Sequence, residues 1–99
     1  MMEKSTKNIQ IFIINTLKLS SERGIFNHLV KALVFIEDGN PVRGTLSKIT
    51  RTDQTAHSAL YAYIREVSHT EEYFNLTGVK IPVTPVQFLS KLWEKYLLD

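Results

Sequence analysis

Residues 42–67, VRGTLSKITRTDQTAHSALYAYIREV, decide how the chain is read. Val42, Leu46 and Ile49 recur at helical spacing, which predicts a short helix over 42–50 with these three facing inward. Thr52 is a favoured N-cap residue, and Asp53 follows in the first turn, where a negative charge suits the helix dipole. Ala56, Leu60, Tyr63, Ile64 and Val67 then mark the apolar face of a second helix running to about Val67. Two short helices joined by a few residues make a helix-turn-helix outline. Ala56 is small enough to let the second helix close against Ile49.

The outer side of that second helix carries Asp53, Gln54, Thr55, His57, Ser58 and Tyr61. These are hydrogen-bonding groups rather than the charged residues of a purely solvating face. Gln, Thr, Ser and His suit contacts to base edges, and a helix N-terminus favours phosphate. Charge placement agrees. Within residues 40–65 the basic residues are Arg43, Lys48, Arg51 and Arg65 and the one acid is Asp53, a local charge of +3 against +2 for the whole chain. Positive charge concentrates where phosphate contacts require it. Two small helices completing an ordinary core would also carry polar surface, so the outline gains weight only from what flanks it.

Upstream, Ser20 and Ser21 offer an N-cap to a helix with Ile25, Phe26, Leu29, Val30, Leu33, Val34 and Ile36 at helical spacing. That stripe is wider than one core face needs, so the helix is expected to be buried on two sides, or on one side and against a partner. Asp38-Gly39-Asn40-Pro41 ends it. Before it, apolar residues at 9, 11, 12, 13, 14, 17 and 19 fit a short helix or a β-branched strand about equally, with Thr16-Leu17-Lys18 tipping the balance to helix. This arm, residues 1–20, is expected to mediate dimerisation, leaving 21–99 as the DNA-binding domain; the competing expectation is that it caps its own core.

Downstream, 72–76 and 79–83 read as two β-strands around Thr77-Gly78, with Pro82 marking the second as an edge. Lys80 on that hairpin is a phosphate candidate and equally a solvated edge-strand lysine. Thr84-Pro85 starts a last helix, an N-cap with Pro at its first position, lined by Val86, Leu89, Trp93, Tyr96 and Leu97.

Composition closes off other classes. Ninety-nine residues, 43% hydrophobic and 22% charged, are the makings of one globular domain. With no cysteine there is no disulfide framework or thiolate nucleophile. His28, His57 and His69 are scattered, and Glu71-Glu72, the only acidic doublet, reads as solvated surface. No nucleophile elbow, phosphate loop or zinc-protease motif is present, so neither catalysis nor a cofactor or metal is expected. No apolar stretch approaches the roughly 20 residues of a membrane span. The expected location is the cytoplasm.

From Phe26 onward the order helix, helix-turn-helix, two-stranded wing, helix resembles the winged helix-turn-helix DNA-binding domains. The segment FNHLVKALVFIEDGNPVRGTLSKITRTDQTAHSALYAYIREV carries the resemblance, with KIPVTPVQFLSKLWEKYL as second wing strand and closing helix. The chain departs from that pattern at Arg51, where an apolar residue is usual, and at Leu46, where a small one is usual. The apolar arm and the helix ending FIEDG are similar to the TubR-type centromere-binding proteins of plasmid partition. The resemblance implies a mainly α fold with a small β-hairpin, a homodimer on double-stranded DNA and a tubulin-like filament protein as partner, with dimer contacts near Tyr61 and Tyr63. Transcriptional repression fits the same features. Arg43, Lys48 and Arg51 are the phosphate candidates beside Lys80; Thr52, Gln54, Thr55, His57, Ser58 and Tyr61 complete the expected DNA face. The rival expectation is a winged-helix protein-interaction module that does not touch DNA.

Overall fold

A computed structural model describes residues 2–99, with side chains from Ser5 onward. Six helices follow one another: α1 (Met2–Leu17), α2 (Gly24–Glu37), α3 (Val42–Thr52), α4 (Ala56–Val67), α5 (Glu71–Thr77) and α6 (Pro85–Leu98). No strand occurs among the described residues.

α2 is the centre of the fold. It packs against α1, α3, α4 and α6, which accounts for its wide apolar stripe. Ile25, Phe26, Leu29, Val30, Ala32, Leu33 and Ile36 are all buried within one chain. The ambiguous arm is helical, and Ile9, Phe12, Ile13 and Leu17 of α1 enter the same core. α1 therefore covers its own domain, and among its described side chains Ile11 and Ile14 are the large apolar ones that face out. The serines at 20 and 21 do not cap α2. Ser20 instead accepts the Glu22 N–H at 3.2 Å, and α2 starts at Gly24 after an extended Arg23.

The expected β-hairpin, and with it the winged-helix fold, is overturned. Residues 71–77 are helical because Tyr73 and Leu76, three apart, are the two side chains that bury. Thr70 caps this helix by accepting the Tyr73 N–H at 3.2 Å, and Glu71 and Glu72 occupy its first turn. Gly78, at φ +79°, terminates it by donating to the Phe74 carbonyl at 2.7 Å. A left-handed glycine ends a helix as readily as it turns a hairpin, so the same residue served both readings. Residues 79–83 then run on without a strand partner. The buried Tyr73 hydroxyl holds them, donating to the Ile81 carbonyl at 2.7 Å and accepting the Val83 N–H at 2.8 Å.

α6 begins as its sequence predicts. Thr84 and Gln87 form a reciprocal capping box with Pro85 in the first turn. Phe88, Leu89 and Leu92 are its fully buried residues, whereas Leu97 is exposed. Among the described residues no helix is long and apolar enough to cross a membrane.

Candidate nucleic-acid interface

α3 and α4 are joined by Asp53, Gln54 and Thr55. α3 runs two residues longer than its sequence spacing predicts, and this moves the cap. Thr52 lies inside α3, where its hydroxyl donates to the Ile49 carbonyl at 2.8 Å; it does not cap α4. Asp53 organises the turn instead. Its Oδ1 accepts the Thr55 N–H at 2.9 Å and the Thr55 hydroxyl at 2.6 Å. His28 of α2 places Nε2 3.6 Å from the other carboxylate oxygen. The Thr55 hydroxyl and N–H hold the Asp53 carboxyl below its ordinary pKa, and nearby His28 and Lys31 act in the same direction.

An α-helix turns 100° per residue, so burial sorts α3 into rows. Thr45 and Ile49 are buried and form the inner row. On one flank Leu46 and Thr50 are half-buried, and beyond them Ser47 and Arg51 are exposed. Lys48 and Thr52 fall on the opposite flank. The first flank opens into a cleft of about 590 Å³ between the two helices, lined from α3 by Leu46, Ser47, Thr50 and Arg51, from the turn by Gln54 and from α4 by His57 and Ser58. A second recess of about 590 Å³ continues along α4 past Tyr61, Ala62 and Arg65. These positions stand opposite the buried Ala56, Leu60, Tyr63 and Ile64. The His57 and Tyr61 rings lie 6.1 Å apart, and Tyr61 is 48% exposed.

The structure brings Arg51, Gln54, His57, Ser58 and Tyr61 together on one face, with Thr55 tied into the turn at its start. Arg43 is exposed in the first turn of α3. Among the described residues the side chains of Arg43, Arg51, Gln54, Ser58 and Arg65 make no hydrogen bond or ion pair. Two of the phosphate candidates, both exposed, also touch uncharged groups of their own chain. Lys48 donates to Asn40 Oδ1 at 3.1 Å and sits 5.4 Å above the Phe35 ring. Lys80 lies in the α5–α6 connection, 5.5 Å above the Phe74 ring, and lines neither recess. Tyr63 is buried, and burial pushes its hydroxyl up to about 12, so it belongs to the core.

Sequence reasoning counted Arg65 as charge without placing it, and did not select Leu46, Ser47 or Thr50 for the site. Their signal was present: 46/50, 47/51 and 61/65 are pairs four apart, each on one helical face. Among the described residues no group of His, Asp or Glu could hold a metal ion. No protein-family profile matches the chain, and neither a curated protein nor a solved structure is similar to it.

Proposed function

We propose that the protein binds double-stranded DNA sequence-specifically through the α3–turn–α4 unit, with α4 in the major groove. One observation carries this reading. Arg51 and Arg65 share the outer face of two helices joined by a three-residue turn with a run of hydrogen-bonding side chains, Arg43 is exposed at the start of the first helix, and none of the three has a hydrogen-bond or ion-pair partner among the described residues. Cations and donors left unpaired by their own fold are suited to phosphates and base edges. The fold that presents them is an all-helical one, and the wing plays no part.

The reading includes a cytoplasmic homodimer, because Ile11 and Ile14 remain outward on α1 at 49% and 39% exposure. A two-fold pair would set two α4 helices about one DNA turn apart, roughly 34–36 Å. Repression and centromere binding in plasmid partition then differ in the DNA: footprints on one operator support the first, and footprints on tandem repeats the second. A tubulin-like filament partner belongs to the partition form alone. A protein-interaction role draws on a different feature, the half-exposed Tyr61, since exposed tyrosines anchor protein interfaces.

The test is affinity for random duplex as a function of salt. If Arg43, Arg51 and Arg65 each neutralise one phosphate, log K falls against log salt with a slope of about −3 per protomer. Salt-independent binding to a protein ligand, with no affinity for duplex, would replace the DNA reading by the protein-interaction one.

A further inference from the structure

We propose that the α3–α4 cleft reads an A·T base pair, with Leu46 against the thymine methyl and Gln54 on the adenine edge. The proposal rests on the DNA reading above and specifies the base pair that reading leaves open.

The two walls of the cleft are unequal. Leu46 and Thr50 form its α3 floor, between the buried Thr45/Ile49 row and the exposed Ser47/Arg51 rim. Thr50 directs its hydroxyl proton to the Leu46 carbonyl at 2.8 Å. That donor is therefore taken, and the floor offers mainly carbon. The facing side differs. Gln54 and Ser58, four residues apart, line the cleft with side chains that make no hydrogen bond among the described residues. The half-buried Leu46 thus stays in contact with water beside free amide and hydroxyl groups.

An A·T pair supplies the complement in the major groove. Adenine presents N7 as acceptor and N6 as donor, which a glutamine amide meets with both its ends. Thymine presents a C5 methyl beside its O4 acceptor. A G·C pair offers no methyl, and cytosine places an amino donor where thymine has O4. Without a methyl the half-buried Leu46 gains no apolar contact from the pair. The cleft therefore selects A·T by contact on one wall and hydrogen bonding on the other.

The experiment selects duplexes from a random pool with the full chain, then replaces each thymine of the selected site singly with deoxyuridine. This removes one methyl and leaves Watson–Crick pairing intact. At one position per half-site the affinity should fall by about fourfold, the worth of one buried methyl group. 7-Deazaadenine at the paired adenine should weaken binding at the same base pair. The deoxyuridine effect should vanish in Leu46→Ala, and the deazaadenine effect in Gln54→Ala. Because the wild-type chain meets altered DNA, the first result does not depend on any variant folding. Duplex binding with no position sensitive to deoxyuridine overturns the proposal, as does a sensitivity that survives Leu46→Ala in a variant with wild-type helicity. Absence of any duplex binding overturns the DNA reading itself, and this pairing with it.

Discussion

Asp53 accepts two hydrogen bonds from Thr55, one from its N–H and one from its hydroxyl, and this pair fixes the turn between α3 and α4. The only acid of residues 40–65 thus has a structural task inside the proposed DNA-facing unit. With Thr55 held, Ala56 buries and α4 leaves the turn with His57, Ser58 and Tyr61 outward.

Removing a free arginine should act on all DNA alike. Arg51→Ala is expected to weaken random and selected duplexes by similar factors and to reduce the salt slope by about one. Lys48→Ala and Lys80→Ala are expected to leave the slope unchanged, since one ammonium is held by Asn40 and Phe35 and the other lies over Phe74. Fluorescence anisotropy at four or more salt concentrations separates the two groups.

Gln54→Ala should behave differently. Affinity for the selected site is expected to drop by roughly 1–3 kcal/mol, with random duplex little affected. Equal losses on both DNAs would assign Gln54 to the backbone instead of a base.

Tyr73→Phe tests how residues 79–83 are held. It removes the donor to Ile81 and the acceptor for the Val83 N–H while keeping the ring stacked near Phe88, 6.1 Å away. A loss of about 1–3 kcal/mol in urea unfolding is expected. Amide exchange at Val83 should accelerate in the same variant. Unchanged protection there would mean that the segment is held by something other than the tyrosine.

Thr45 is completely buried in α3, and its hydroxyl has no hydrogen-bond partner among the described residues. Thr45→Val keeps the shape and removes the unsatisfied group, so a stability gain of about 1 kcal/mol is expected. Chemical denaturation reads it directly; a loss would show that the hydroxyl has a partner after all.

Acid should weaken the fold through two carboxylates. Asp53 is held below its ordinary pKa by Thr55, and Glu66 by the bidentate Arg23 contact at 2.9 Å. A carboxyl with a lower pKa in the folded than in the unfolded chain contributes stability that is full above the unfolded value, about 4. That contribution is lost as pH falls through the folded value. Tm is therefore expected to decline below about pH 4, with a shallower decline in Glu66→Gln. An equally steep decline in that variant would remove Glu66 from the account.

The helix-turn-helix unit was legible because its burial repeats at fixed spacing: Ala56, Leu60, Tyr63 and Ile64 are inside as their period requires. The Thr84-Pro85 start was legible because a capping box is local in sequence. The 72–83 region was not, because its deciding contact joins Tyr73 to Ile81 and Val83 by a side chain, while Gly78 suits either a turn or a helix end. Of the apolar 9–19 segment, Ile9, Phe12, Ile13, Leu17 and Leu19 are buried and Ile11 and Ile14 are not, and α1 is covered by α2 and α5 of the same chain, which no local spacing announces. At the site, the outward face of α4 could be read from the sequence. Which lysines were free could not. Asn40 and Phe35 engage Lys48 across the α2–α3 corner, and no spacing rule announces that pairing.

DNA binding is proposed at the α3–α4 face. Amide chemical-shift changes of the full chain on titration with a selected duplex test it most directly. The account predicts that the largest changes fall on Leu46, Ser47, Arg51, Gln54, His57, Ser58 and Tyr61, with α1 and residues 79–83 little moved. Largest changes on residues 74–83 or on the outward side of α1, with the α3–α4 face silent, would contradict it.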